Sequence, residues 1–376
     1  MAHPLAPYIF LLRNPSRSVP ITIVIALAVL LICGIVALVH SIPLSVREIY
    51  GYSRNFSAAL PRSDPSYLPT LEAQLSDSPI PIERVLKIRV AFFNVRSIVG
   101  KLPFVLHGLK PEDAAFLRQR MGLSQLTGRL PAVGAPEAVI TRPIAVNLGL
   151  DIGDELLRPD DPQNYSPQPV RVVGIHESDY WFAYGDYTYV AQNHFPPVDD
   201  LVIVAKDQPR FDRWAVERFK GTKARILTHA ELLRETDESL AVLLQLLSVV
   251  IGMLVVVVTV MIGLFINIYL SQRITEFGLL QAIGFTRGFL ARRAGVEASI
   301  IVIGAWLLGV LVSVGVLWIV KITLMDPRAY FLDPLDWYGI AYTLPLPLAV
   351  LLASFLTIRI RFARFDPVEV IERRIA

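Results

Sequence analysis

The chain has 376 residues, of which 53% are hydrophobic and 18% charged, with a formal net charge of +3. That balance sits on the membrane side of ordinary globular composition, and no nucleic-acid partner is expected. The single cysteine, Cys33, excludes a disulfide within the chain.

In chain order, the first feature is a charge-free run over 19–39, and three more follow at 240–270, 298–320 and 337–358, each at least 21 residues long. A helix rises about 1.5 Å per residue, so every run can cross a hydrocarbon core of roughly 30 Å. The first run is too long for a signal-peptide core and no small-residue cleavage site follows it, so an uncleaved anchor is expected. Between the first and second runs lie about 200 residues of soluble composition. The predicted fold is an α-helical membrane protein: four transmembrane helices, with a large α+β extracytoplasmic domain inserted between helices 1 and 2.

Basic residues flanking the runs set the orientation. Arg13 and Arg17 precede the first, Arg273, Arg287, Arg292 and Arg293 lie between the second and third, and Arg359, Arg361, Arg364, Arg373 and Arg374 follow the fourth. The insertion, by contrast, holds 23 basic and 25 acidic residues. Both termini and the 271–297 loop are therefore expected in the cytosol, with the large domain outside. The predicted layout is a cytosolic elbow over 1–18, helix 1 over 19–42, the external domain with stalk ends over 43–236 and helix 2 over 237–270. A cytosolic loop over 271–297 precedes helix 3 over 298–320. A short external loop follows over 321–336, then helix 4 over 337–358 and a cytosolic tail over 359–376.

Pro43 can open or kink a further helix carrying Leu44, Val46, Ile49 and Tyr50, and leucines 232, 233, 240, 243 and 244 stand at helical spacing ahead of the second run. Two such extensions predict a stalk. Within the insertion, 82–109 alternates in short stretches broken by Asn94, Gly100 and Pro103, which reads as strand, and 111–121 reads as a helix opened by Pro111. Strands are predicted near 138–146, 170–175, 187–191 and 201–205, a helix near 209–220, and a loop over 160–169. Residues 180–189 carry six aromatics in ten positions. They read either as an apolar lip, with Tyr180, Trp181, Phe182 and Tyr184 contacting a substrate or partner, or as a hairpin turning near Gly185-Asp186. Pro345 and Pro347 predict a kink in the fourth span.

The search for chemistry is negative. The chain has no phosphate loop of the G-x-x-x-x-G-K-[ST] type, no H-E-x-x-H and no G-x-S-x-G, and its six histidines show no ligand spacing. No catalytic residue, metal or bound cofactor is expected, and the chain is not read as an enzyme.

The loop from 271 to 299 is more specific: SQRITEFGLLQAIGFTRGFLARRAGVEAS. Ile274, Phe277 and Leu280 share one face of a short helix, with Arg273 and Glu276 beside them, and Gly278 and Gly284 leave room for close backbone approach. A short amphipathic helix at the membrane surface suits docking into a partner's groove. The stretch Glu276-Phe277-Gly278, then Gln281-Ala282-Ile283-Gly284, then Arg287, Arg292, Arg293 and Glu297, resembles the coupling-helix region of the FtsX-like permease family. LLRNPSRSVPITI over 11–23 is similar to that family's basic elbow, and RFDPVEVIERR over 364–374 to its closing segment. Residues 128–157 with RVVGI at 171–175 resemble the outer domain of MacB-like and lipoprotein-releasing permeases. The chain departs from the family in carrying no fused nucleotide-binding domain, in Gln281 where a basic residue is usual, and in an outer domain far larger than that of the cell-division members.

The resemblance implies the permease subunit of a MacB-like (type VII) ABC transporter, a multi-pass protein of the bacterial cytoplasmic (inner) membrane. Its partners would be a cytosolic ABC ATPase dimer that holds the ATP and Mg, a second permease copy or paralogue, the lipid bilayer, and a periplasmic adaptor or carrier. Coupling to the ATPase would fall to Arg273, Ile274, Glu276, Phe277, Gly278, Leu279, Leu280, Gln281, Ala282 and Gly284. ATP-driven motion would be passed to the outer domain to move or extract a lipoprotein, lipid, amphipathic peptide or hydrophobic drug. The other reading is a mechanotransmission complex that transports nothing and activates an external enzyme or adaptor.

Overall fold

The computed structural model describes residues 15–363 except 62, 63, 99 and 273. Residues 1–14 of the elbow expected over 1–18, residues 364–376 of the tail expected over 359–376, and Arg273, expected in coupling, lie outside the described residues. The chain divides into a helical unit (1–40, 242–321 and 333–376) and a sheet unit (41–241 and 322–332).

Helix α1, Pro15–Ile49, has proline at its first position and runs on through Pro43 before tightening into a 3-10 turn over Tyr50–Arg54. The sheet unit then unfolds in chain order as β1 (Ser57–Leu60), α2 (Leu68–Ser76), β2 (Ile82–Ser97), β3 (Gly100–Leu109) and α3 (Pro111–Arg120). Next come β4 (Leu126–Gly128), β5 (Glu137–Thr141), α4 (Arg142–Leu148), β6 (Glu155–Leu157) and β7 (Val170–His176). β8 (Ala183–Asp186), α5 (Tyr187–Asn193), β9 (Asp200–Ala205), α6 (Gln208–Arg218) and β10 (Arg225–Leu227) complete it. The strand order is β10-β1-β9-β2-β3-β8-β5-β7-β4, with β6 on β7. β3 with β8 and β5 with β7 are parallel, and the other pairs are antiparallel.

The 16-residue β2 ties two halves together: Ile82 to Ile88 pair with β9, and Arg89 to Ser97 with β3. α2 and α6 cover the first half, burying Leu71, Leu75, Ile203, Phe211 and Ala215. The second half is built on Phe93, Phe104, Leu106, Ile140, Val172 and Tyr184.

Three local expectations are corrected. Asn94 does not break β2; its N–H donates to Asn164 Oδ1 at 2.8 Å, and it stands opposite Pro103 in β3. The strand expected to 146 stops at Thr141, where Pro143 enters the first turn of α4. Residues 187–191, expected as strand, form α5, because Asp186 Oδ2 accepts from Thr188 N at 2.9 Å and Tyr189 N at 3.1 Å. That N-cap outweighs the strand preference of Tyr-Thr-Tyr-Val.

The segment expected as a short loop between the last two spans is built into the sheet unit over 322–332. Asn147, 1% exposed, accepts from Arg96 N at 2.8 Å and donates to Arg96 O at 2.9 Å and to Arg328 O at 2.8 Å. One side chain thus joins α4, β2 and the turn Asp326–Arg328.

Helix α7, His229–Gln272, spans 44 residues, about 66 Å. Its first turns stay in the sheet unit: Ser53 Oγ meets His229 Nδ1 at 2.8 Å, and Arg47 pairs with Asp237 at 3.3 Å. The helical unit continues with α8 (Ile274–Ala282), α9 (Arg287–Val320), α10 (Trp337–Thr343) and α11 (Pro345–Ala363). The fourth apolar run is thus interrupted at Leu344, where Pro345 removes a backbone donor. Among the described residues, four helices are long and apolar enough to cross a membrane: Ser18–Arg54, His229–Phe265, Arg287–Arg328 and Trp337–Ile360. Ile25, Val29, Ile32, Ile262, Val302, Ala305, Leu346 and Val350 form the core of this unit. Gly309 lets α1 and α9 touch backbone to backbone; a Cβ there would stand 2.7 Å from Val29 Cβ and 2.9 Å from Ala26 O.

Candidate functional site

The segment from α8 to the start of α9 carries the residues singled out for coupling, and its two helices join through a tight reversal. Ile283 N donates to Leu279 O at 3.1 Å, Gly284 N to Gln281 O at 3.0 Å and Phe285 N to Leu280 O at 3.1 Å. Gly284 sits at φ +107, a conformation that side chains with a Cβ rarely adopt. Thr286 then caps α9, accepting from Phe289 N at 3.3 Å. A glycine stop followed by a threonine start is what the sequence pattern offers, and the geometry uses both.

Burial sorts the residues of α8. Phe277 is 3% exposed and belongs to the same buried cluster as Ile21, Leu290, Ala294 and Ile358. Gly278 is also buried, and Glu276, Leu280 and Gln281 are half-buried. Leu279 and Ile283 are 61% and 76% exposed, and Ala282 and Gly284 are open as well. Ile274 opens the helix. The expected docking anchor Phe277 therefore packs within the helical unit itself, and among the described side chains of this helix and its turn the large apolar ones left free are Leu279 and Ile283. ITEFGLLQA is apolar on nearly every side, so spacing alone could not say which side faces inward.

Just beyond lies a buried ion pair. Arg293 Nε donates to Glu297 Oε1 at 3.2 Å, one turn along α9, with the carboxylate side chain fully buried and the arginine 10% exposed. Sequence spacing offers this pair at i,i+4, but not its burial. Arg293 Nη1 and Gln281 Oε1 are buried without a hydrogen-bond partner among the described residues.

The aromatic segment is not a lip. Trp181, Phe182 and Tyr184 are 4%, 1% and 1% exposed within the second core of the sheet unit, and Tyr180 packs partly buried against it. Nor is it a hairpin, because Gly185 and Asp186 end β8 and α5 follows directly. The aromatics enclose two histidines. His107 stacks on Phe182 at 4.9 Å and its Nδ1 lies 3.1 Å from Ala183 O, a carbonyl that can only accept, so Nδ1 carries the proton. Burial pushes its pKa down to about 4. His176 Nδ1 donates in the same way to Gln125 O at 3.2 Å, which leaves Nε2 to accept from Tyr184 Oη at 3.0 Å. Both are neutral structural groups. Among the described residues, no three His, Cys, Asp or Glu side chains are grouped to hold a metal.

Comparison with known proteins points to the same segment. Residues 248–367 match the model of the FtsX-like permease C-terminal family. No curated protein matches the chain. Among solved structures, the chain is similar to the periplasmic region of MacB from Actinobacillus actinomycetemcomitans, at 13% identity and TM-score 0.28, covering 51% of this chain and 95% of that one. It is also similar to the extracellular domain of the noncanonic ABC-type transporter YknZ from Gram-positive bacteria, at 12% identity and TM-score 0.24, covering 42% and 88%. The family match spans α8, the Gly284 turn, α9, α10 and α11, so it is the helical unit of this membrane protein that is similar to the C-terminal region of FtsX-like permeases.

Proposed function

We propose that this chain is the permease subunit of an ATP-driven, MacB-like ABC transporter, moving or extracting a hydrophobic or amphipathic substrate through motion supplied by a separate ATPase. The observation that carries the reading is the exposed apolar pair formed by Leu279 on α8 and Ile283 in the turn directly after it, inside the stretch matched to the FtsX-like permease C-terminal family. A free apolar pair at the end of a short helix, beside a glycine reversal and flanked by arginines, is what a docking groove on a partner would take. ATP and Mg would be held by the partner, since this chain has no phosphate loop.

Both termini and the α8 segment lie in the cytosol and the sheet unit lies outside the bacterial cytoplasmic membrane, as the arginine distribution favours. α7 presents an exposed apolar row of Val242, Leu246, Val249, Met253, Val256, Val260 and Leu264, at steps of three and four residues. That spacing supports packing against a second permease copy within the bilayer. α1 and α7 each contribute residues to both units, which supports transmission of ATPase motion along unbroken helices.

The test is co-purification from the native cell with a cytosolic ABC ATPase. Leu279→Asp combined with Ile283→Asp should abolish assembly while the purified chain keeps its thermal stability. Full assembly and full coupled ATPase activity in that variant would remove the coupling role from α8. Topology has its own check: cysteines at Gln119 and Gln163, both exposed, should label from outside and a cysteine at Thr286 only from inside.

A further inference from the structure

A groove of about 530 Å³ lies between the start of α9 and the end of α11, lined by Arg287, Gly288, Ala291, Arg292, Phe355, Ile358 and Arg359. Its composition is divided. Three arginines contribute positive charge without a carboxylate among the lining residues, whereas the rest of the lining is aliphatic, aromatic or glycine. None of the three pairs with a carboxylate among the described residues, in contrast to their neighbour Arg293, which is taken up by Glu297.

The groove also has a direction. Going back along α11 from Arg359, the residues at helical spacing are Phe355, Leu352 and Leu348, which are 49%, 74% and 66% exposed. Going forward along α9 from Arg292 they are Val296, Ile300 and Ile303, which are 42%, 41% and 47% exposed. Charge is therefore confined to one end, and apolar surface leads away from it on both helices toward the middle of the two spans. The Phe355 ring lies against Gly295, where a Cβ would come within 2.7 Å of it, so the glycine seats the aromatic floor.

We propose that this groove binds one anionic phospholipid of the arginine-rich leaflet, its phosphate held by Arg287, Arg292 and Arg359 and its acyl chains laid along Phe355 and the two apolar rows. Guanidinium groups suit a phosphodiester because they present planar pairs of donors to its oxygens. An acidic peptide or a free phosphate would use the arginines and leave the apolar rows without a partner, whereas a phospholipid uses both parts at once. The lipid is a resident ligand distinct from any transported cargo, and the site rests on the membrane reading alone. Its failure would leave the ATPase-coupling reading standing, because the test involves no ATPase.

The full chain, purified in mild detergent, is exposed to equal amounts of phosphatidylglycerol and phosphatidylcholine, and bound lipid is read by native mass spectrometry. Phosphatidylglycerol should be retained at one per chain in preference to phosphatidylcholine. The variant R287Q/R292Q/R359Q should lose that preference, each arginine accounting for roughly a five-fold drop in retention. If the triple variant does not fold, Arg292→Gln alone should give the single five-fold drop, since its side chain is exposed. Equal retention of the two lipids by the wild type, or unchanged phosphatidylglycerol retention in the folded variants, would overturn the proposal. Lipid binding that appears only after residues 364–376 are deleted would also overturn it, by assigning the groove to the chain's own tail.

Discussion

The two units bury their interiors by different means. In the sheet unit, buried polar groups are common and paired over long distances: Asn147 bridges three backbone groups, His176 joins Gln125 to Tyr184, and Ser166 meets Tyr189 at 2.8 Å. In the helical unit close fit does more of the work, as at Gly309 against Val29 and Ala26, and the described polar contacts are sparse: Trp306 to Thr343, His40 to Asp336, and Arg293 to Glu297. Lipid is as apolar as leucine, so helices in a bilayer gain little from hiding apolar surface and gain from close contact. Water around a sheet rewards burial, and every polar group buried with it must find a partner. A buried polar residue is thus routine in one unit and exceptional in the other.

The sharpest way to break that comparison is the exceptional pair. Glu297→Ala leaves the Arg293 guanidinium, 10% exposed, without its carboxylate, and should cost roughly 3–5 kcal/mol. The double replacement Arg293→Met with Glu297→Leu should recover most of that loss in detergent melting experiments. A Glu297→Ala protein as stable as the wild type would show that the pair is not desolvated.

Phe277→Ala should cost a similar roughly 3–5 kcal/mol, since the side chain is 3% exposed in the helical core. Leu279→Ala, two residues on and 61% exposed, should stay within about 0.5 kcal/mol. Equal effects at the two positions would erase the distinction between the inward and outward sides of α8.

In the sheet unit the corresponding test is pH. His107 has its pKa pushed down by burial from 6.5 to about 4, so between those values the unfolded chain takes up a proton that the folded one refuses. Its contribution is fully present above pH 6.5 and is lost as pH falls toward 4, by at most about 3 kcal/mol. Asp200 acts in the opposite sense, its pKa pushed up to about 7 chiefly by burial and then by Asp199, so it favours the folded state as pH falls below 7. The test is therefore the difference between wild type and His107→Gln, which keeps a side-chain donor and removes the titration. Hydrogen exchange in β3 and β8 should show the wild type losing protection relative to the variant from pH 6.5 to 4. A difference independent of pH would mean that His107 is hydrated.

A smaller effect is expected at Asn147. Replacement by Ala opens a space that water can enter, and should cost about 1–3 kcal/mol. Faster exchange should appear first at Arg96 N–H, the donor to Asn147 Oδ1. If exchange at Arg96 is unchanged, that bridge does not restrain β2.

Much of this was legible in the residues. α3 with Pro111 at its start and the break before Pro345 follow from local rules about proline, whereas β3 runs on through Pro103, where a break was expected. α5 was missed although its signal was present: Asp186 is an N-cap whose two acceptor contacts decide the backbone of a segment otherwise rich in strand formers. The α8 segment was singled out by its glycines, its acid and its arginines. The side of it that faces outward was not found, because Phe277, Leu279, Leu280 and Ile283 leave little polar contrast from which to read a face.

By itself the sequence determined the four apolar helices, the soluble stretch between the first two and the uneven placement of arginine. Each is a one-dimensional property: length without charge, composition, and the count of basic residues at each end of a run. Only the tertiary structure decided that Trp181, Phe182 and Tyr184 are core, that Phe277 points inward while Leu279 and Ile283 stay free, and that 322–332 is held by Asn147. These outcomes depend on which distant residues compete for the same space and the same hydrogen bonds. Arg328 lies 181 positions from Asn147, and no local pattern in either segment encodes that contact.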